Sequence, residues 1–410
     1  MWEQISSNRT RSIILVVLMG AVLVLLGWFL GYIFASNGIA GLIVALLIWG
    51  IMTLIAYFQG DNILLSVAGA KKISPSDHQQ LYDVVEEMKI ASGLEKMPDI
   101  YIIDDPALNA FATGRDPDHA AVSITSGLLQ ELNRDELQGV IGHEISHIKN
   151  RDVLLMSMCS VLLGTIVILS YYASRMMMFG AIFGGGGGGG GRRGSSRNSG
   201  GGGGALIILV FAILLMILAP LFAQLIYFAI SRKREYLADA SSALYTRYPE
   251  GLASALEKLE QSTTPVKNAT QATAPMYIVN PFRNKINVNN LTSTHPPLEE
   301  RIRILRAMAG GASYANYDTA YRQVKNTGGI ISPQTTAAVG TVGLRAAVAG
   351  GPVEPPVDDK VSRTRNVNDM MYRMNDYTTI DCECGAKLKV PPSMQGSMIK
   401  CPRCGRPHQA

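Results

Sequence analysis

His143, Glu144 and His147 stand in the order H-E-x-x-H. The text leading into them, Glu136 to His143, reads as helix. On a helix, residues four apart share a face, so both imidazoles point the same way. Two neutral imidazoles so placed can hold Zn²⁺, and the intervening glutamate can reach a metal-activated water as general base. A chance match to this pattern in a chain of 410 residues arises roughly once in a hundred. The question is whether other elements supply a third ligand and a scaffold.

Apolar residues make up 48% of the chain and charged residues 17%, with mean hydropathy +0.17, a balance that leans toward a membrane protein. Four uncharged runs stand out: Ile13 to Phe34, Ile39 to Phe58, Val153 to Ala173 and Ala205 to Ile230. Each is about 20 residues or more, enough to cross a hydrocarbon layer as a helix. The first is too long for a signal-peptide core and reads as a retained anchor. Gly27 and Gly31 within it form a GxxxG pair, a weak signal for helix packing. Four spans put both termini on one side. Arg9, Arg11, Lys71, Lys72, Lys149, Arg151, Arg232, Lys233 and Arg234 lie there, against Arg175, Arg192, Arg193 and Arg197 opposite, so the expected address of both termini is the cytosol. Between spans three and four, residues 184–204 are mostly glycine and predict a flexible loop, since no Lys-Ser/Thr ending marks a nucleotide cradle. The net charge of +5 needs no nucleic-acid partner.

Between spans two and three the pattern predicts a helix over 77–93, a strand over 100–104, a strand over 120–126, and then the helix that carries His143. The order helix, strand, strand, helix is a small α+β unit. The strand over 120–126 is either an exposed strand able to pair with an extended substrate or an ordinary sheet strand. The motif helix is expected to run straight into the third span.

Catalytic zinc needs a third protein ligand. His78, His119, His295 and His408 are the remaining histidines. Just past the fourth run, Glu235 and Asp239 share a helical face. One carboxylate could bind zinc while the other orients a ligand histidine; the plainer reading pairs them with Arg232 and Lys233 or leaves them solvated.

Several segments then occur in one order: Asn109-Ala-Phe-Ala-Thr-Gly114, Ala121-Val-Ser-Ile-Thr-Ser-Gly127, Gly142-His-Glu-Ile-Ser-His-Ile-Lys-Asn-Arg-Asp152, Arg234-Glu-Tyr-Leu-Ala-Asp239, Met276-Tyr-Ile-Val-Asn-Pro281 and Ser293-Thr-His-Pro-Pro-Leu-Glu-Glu-Arg-Ile302. Over roughly residues 10 to 310 the chain resembles the HtpX-like membrane zinc metalloproteases, relatives of the CAAX prenyl endopeptidases. The resemblance implies a gluzincin-type α+β peptidase domain on the cytosolic side of a mainly α, four-span membrane protein. It implies that His143, His147 and Glu235 bind the catalytic zinc and that Glu144 is the general base. Asp239 would fix the tautomer of a ligand histidine, His295 would stabilise the oxyanion with Arg301 supporting that region, and Asn109 would lie in a segment lining the substrate cleft. Asp152 is expected to support the motif helix. The implied substrates are misfolded or damaged membrane proteins.

Beyond residue 325 the composition changes. Residues 326–376 predict an unstructured linker, followed over 377–410 by Cys382-x-Cys384-Gly and Cys401-x-x-Cys404-Gly. Two such pairs predict a structural Cys₄ zinc ribbon, hence a second zinc ion, although the first pair is one residue short. Two disulfides are the alternative, which a cytosolic tail disfavours. The fifth cysteine, Cys159, is read as packing within span three. With Lys387, Lys389, Lys400 and Arg403 but no stacking aromatic, the ribbon points to a protein or substrate contact rather than nucleic acid. The expected divisions are a membrane hairpin over 1–60, a peptidase domain over 61–325 containing spans 153–173 and 205–230, the linker and the ribbon. Function is expected to be endopeptidase quality control of membrane proteins. A CAAX-type processing enzyme and a membrane scaffold with a vestigial site are the alternatives; retention of Glu144 argues against the scaffold.

Overall fold

The computed structural model describes residues 2–183, 232–270, 273–282, 295–308, 311–338, 342–345 and 360–409. The chain begins with an antiparallel hairpin of two helices, α1 (Trp2–Ala35) and α2 (Gly38–Ala68). Ser36 turns the chain at φ +52°, and the Asn37 side chain caps α2 by accepting from the Ala40 N–H. The helices meet through small residues: a Cβ on Gly31 would lie 2.5 Å from Gly41 Cα, and one on Gly27 2.3 Å from Ala45 Cβ. The GxxxG pair is therefore spent inside this hairpin, where the absence of side chains lets backbones touch. A third long helix, α6 (Asp152–Phe183), closes the bundle through Leu155, Cys159, Leu162, Leu163 and Ile166 against Met19 and Leu23. Ile13, Val17, Ile43, Leu47, Ile51 and Leu54 remain exposed on its outside. Gly38–Ala68 and Asp152–Tyr172 are long and apolar enough to cross a membrane, and Val16–Tyr32 is a shorter apolar stretch within α1. The expected span 205–230 and the glycine loop 184–204 lie outside the described residues.

A four-stranded sheet follows the hairpin, with β1 (Ala70–Lys72), β2 (Asp99–Ile103), β3 (Ala110–Gly114) and β4 (Ala120–Thr125) in the order β1-β2-β4-β3. Only β2 and β4 run parallel; the other pairs are antiparallel. Of the two readings of residues 120–126, the ordinary sheet strand holds. β4 lies inside the sheet with every residue buried; β1 and β3 are the edge strands, and the alternation rule gave no signal for β3, which is also wholly buried. Its residues, Ala-Phe-Ala-Thr-Gly, lack the β-branched run that marked β4.

Helices α3 (Gln79–Ser92) and α5 (Arg134–Lys149) pack together beside the sheet, with α4 (Ser126–Glu131) leading from β4 into α5. A capping box of Asn133 and Glu136 starts α5. The α5 helix does not run straight into the third apolar run. Asn150 ends it, Arg151 takes a left-handed φ of +57°, and α6 begins afresh at Asp152. Helices α7 (residues 232–246), α8 (Pro249–Gln261), α9 (Leu298–Arg306) and α10 (Tyr314–Lys325) complete the core around α5.

The stretch 326–376 departs from an unstructured linker. It contains α11 (Pro333–Ala338) and α12 (Lys360–Met374) among its described residues. Val367, Met370 and Met371 recur at helical spacing and enter the main core, with α12 lying against α4. Polar composition concealed a three-residue apolar stripe. Lys71, just past α2, donates to the Met374 carbonyl and to Asn375 Oδ1 at the C-terminal end of α12. The tail then forms two small hairpins, β5 (Thr378–Asp381) with β6 (Lys387–Val390) and β7 (Met398–Lys400) with β8 (Pro407–Gln409).

Candidate metal centre

Helical periodicity on α5 brings the His143 and His147 Nε2 atoms to 3.2 Å of each other. Glu235 on α7 approaches both, with Oε2 3.5 Å from His143 Nε2 and Oε1 3.5 Å from His147 Nε2. All three residues are buried. Zinc at its usual ~2.0–2.1 Å from tetrahedral N and O donors requires those donors to be about 3.3–3.5 Å apart. The donor triangle therefore fits the ion in both chemistry and size.

The opposite nitrogens of the two imidazoles are also occupied. His143 Nδ1 lies 3.0 Å from Asp239 Oδ1, and His147 Nδ1 lies 3.3 Å from Asp152 Oδ2. A carboxylate at Nδ1 favours the Nδ1–H tautomer and leaves Nε2 as the lone-pair donor. Asp239 is gripped in turn by Arg301, with Nε and Nη2 at 2.8 and 2.7 Å from its two oxygens. Arg301 Nη1 also donates to the Ile278 carbonyl and lies 3.4 Å from Glu235.

Burial pushes Asp239 and Glu235 up, but neighbouring cations overcome it and hold both carboxyls low: chiefly Arg301 for Asp239, and the imidazoles with Arg301 for Glu235. Burial pushes His143 down, yet the carboxylates of Asp239 and Glu235 lift it to about 9. His295 shows the other outcome. Burial dominates there and lowers it to about 4, so it is neutral at physiological pH.

Both carboxylate oxygens of Glu144 are buried without a hydrogen-bond partner among the described residues, a costly state for a group with no function. Burial raises its pKa, against the pull of the imidazoles and of the Ala112 backbone N–H. Ala112 is the middle residue of edge strand β3. Residues 109, 111 and 113 turn their backbone groups toward β4, as the Thr125 N–H to Asn109 carbonyl bond shows, so Ala110 and Ala112 present theirs on the other side, where the Ile278 N–H bonds the Ala110 carbonyl.

The sequence pattern described as Peptidase family M48 matches residues 75–309. The chain belongs to peptidase family M48. A protease HtpX homolog of Dictyoglomus turgidum is 43% identical over 310 residues, covering 75% of this chain and 94% of the relative. A protease HtpX homolog of Lactobacillus helveticus is 43% identical over 308 residues, covering 75% of this chain and all of the relative. A crystal structure of S. mikatae Ste24p aligns at 22% identity with a TM-score of 0.38, covering 74% of this chain and 67% of that one. Family and protease relatives together make this M48 chain a metallopeptidase.

Within this M48 peptidase the remaining candidates occupy distinct places. His295 is buried and donates to the Tyr277 backbone carbonyl while feeling the Glu235 charge. Arg301 sits behind the donor triangle rather than in an open cleft, fully buried between α7 and the 276–279 segment. The Asn109 side chain donates to the Val279 carbonyl and so ties that segment to the start of β3, as do the bridge between Phe111 and Tyr277 and the Ile278 N–H bond to the Ala110 carbonyl. Asp152 is the residue whose place the sequence reading left vague. Its five-residue spacing from His147 was the available signal, but a helix alone could not supply the contact.

In the tail the four cysteines are free, and their sulfurs lie within 4.8 Å of one another. The closest approaches are 3.5 Å for Cys382–Cys404 and 3.7 Å for Cys384–Cys401. Zinc–sulfur bonds of ~2.3 Å at tetrahedral angles ask for about 3.8 Å. The short first pair still closes its turn, with Cys382 N–H on the Ala386 carbonyl, as Cys401 N–H bonds the Arg406 carbonyl. Gly385 and Gly405 supply the positive φ that follows each pair, +81° and +76°.

Proposed function

We propose that the chain is a four-span zinc endopeptidase of the cytoplasmic membrane that cleaves misfolded or damaged membrane proteins, with its peptidase domain and both termini in the cytosol. His143, His147 and Glu235 hold the catalytic zinc, and the cysteine cluster holds a second, structural ion. The peptidase domain, over 61–325, continues through the docked α12 into the ribbon of 377–410. The observation that carries this reading is a donor triangle of zinc dimensions beside a buried, unpartnered Glu144.

Zinc in that triangle supplies a Lewis acid and lowers the pKa of water toward neutrality. Glu144 takes the proton from the attacking water and returns it to the leaving amine. Its raised pKa suits that exchange, because burial leaves the carboxylate basic. His295, buried beside Glu235, stabilises the carbonyl oxygen as charge develops there. Asp239 and Arg301 keep His143 in its donor tautomer.

The test compares wild type with Glu144→Gln, purified in detergent, on an unfolded protein substrate after zinc is added. Cleavage should fall by about 10²–10⁴-fold while zinc remains bound. Equal cleavage by the two would remove Glu144 as the base. Reporter fusions at each terminus test the orientation, and a non-cytosolic signal from either would overturn it.

A further inference from the structure

We infer that Asp152 and Arg234 form a positioning pair for the metal site: Asp152 orients His147 as Asp239 orients His143, and Arg234 fixes Asp152. This rests on the zinc reading above.

Four observations carry it. The Asp152 carboxylate, 1% exposed, lies 3.3 Å from His147 Nδ1. Its other oxygen lies 3.4 Å from Arg234 Nη1, and Arg234 is 6% exposed. Arg234 directly precedes Glu235 on α7, so one turn of that helix sends a carboxylate to the front of His147 and a guanidinium to the aspartate behind it. Fourth, the contact needs the break between α5 and α6. On a continuous helix a residue five positions on is turned about 140° away from His147. Arg151 at φ +57° folds the chain so that Asp152 comes back under the ring. A non-glycine residue held left-handed at this point marks a conformation imposed by its surroundings.

Each ligand histidine then carries its own Asp–Arg support, Asp239 with Arg301 and Asp152 with Arg234. The two differ in where they are anchored. Asp152 is the first residue of α6, one of two helices among the described residues long and apolar enough to cross a membrane. The seat of that helix therefore sets the orientation of a metal-facing imidazole.

The bland role for Asp152 is to place a negative charge at the start of α6, a matter of helix stability alone. Asparagine keeps its shape but offers His147 no charge. Asp152→Asn therefore separates the two roles. In full-length protein, zinc is withdrawn by a graded chelator, and the release step that His143→Ala abolishes identifies this site. We expect Asp152→Asn to weaken that step by 10–100-fold and to move the d–d bands of the cobalt-substituted site. Because the variant leaves the buried Arg234 without its counter-charge, the melting midpoint of the zinc-free protein should also fall, and adding Arg234→Met should recover part of that fall. Arg234→Met should weaken zinc less, and adding it to Asp152→Asn should cause no further loss. Wild-type zinc affinity and an unchanged cobalt spectrum in Asp152→Asn would overturn the inference and leave a helix-end charge. If wild type shows no release step that His143→Ala removes, the zinc reading itself fails.

Discussion

Replacing Arg301 with methionine keeps the bulk of the side chain and removes one fully buried cation. Its guanidinium makes a two-pronged contact with Asp239 at 2.7 and 2.8 Å, donates to the Ile278 carbonyl at 3.0 Å and lies 3.4 Å from Glu235. Without it Asp239 is a buried carboxylate left with a histidine alone. Breaking such a pair from one side costs about 3–5 kcal/mol. The stranded Ile278 carbonyl adds about 1 kcal/mol or more. A unit of this size loses roughly 2–4 °C of melting temperature per kcal/mol, so the midpoint should drop by about 10 °C or more. Thermal unfolding in detergent, followed by circular dichroism with zinc withheld, measures it. Asp239→Asn added to Arg301→Met should recover part of the loss, because the stranded charge goes with it. A single variant that melts within ~2 °C of wild type, or a double variant that melts lower than the single, would refute the assignment of Arg301 as the counter-ion of this cluster.

Zinc affinity at the histidine pair should rise with pH. His143 without metal holds its proton up to about 9, so below that pH zinc must displace the proton, and affinity falls by about tenfold per unit of acidification. Chelator competition between pH 6.5 and 9 would expose a flat profile if this is wrong. Gly31→Leu should collapse the yield of folded protein, since its Cβ would meet the Gly41 backbone at 2.5 Å, whereas Gly50→Leu, with open space around it, should be silent; equal yields would mean that α1 and α2 do not touch there. Zinc content should fall from two ions to one in Cys401→Ser. Deleting residues 377–410 should spare peptidase activity, but deleting from 311 should abolish folding, because Tyr314, Tyr317, Met370 and Met371 share the main core. Active protein from the longer deletion would contradict that packing.

What could be read from the residues was whatever depends on spacing along one element. Two imidazoles four apart face one way on any helix, Glu235 and Asp239 likewise, and cysteine pairs with a following glycine turn their sulfurs inward wherever the turn forms. Long apolar runs announce themselves as helices with nowhere to go but a core or a membrane. Resemblance joined these parts before any distance was known.

The tertiary structure decided what spacing does not encode. Strand order is one case: β4 carries the stronger strand pattern but lies inside the sheet, and the plainer β3 is at one of its edges, because pairing across the sheet is a long-range choice. Another is the docking of α12, where three apolar side chains in polar text find a place on the core. The last is Asp152. Its type and position were visible from the start, yet its contact with His147 depends on one residue turning left-handed and on Arg234 arriving from a distant part of the chain. Helical periodicity is local, so the residues alone showed which donors share a face. Which charges hold those groups still was decided by packing, because buried charges find their partners across elements rather than along them.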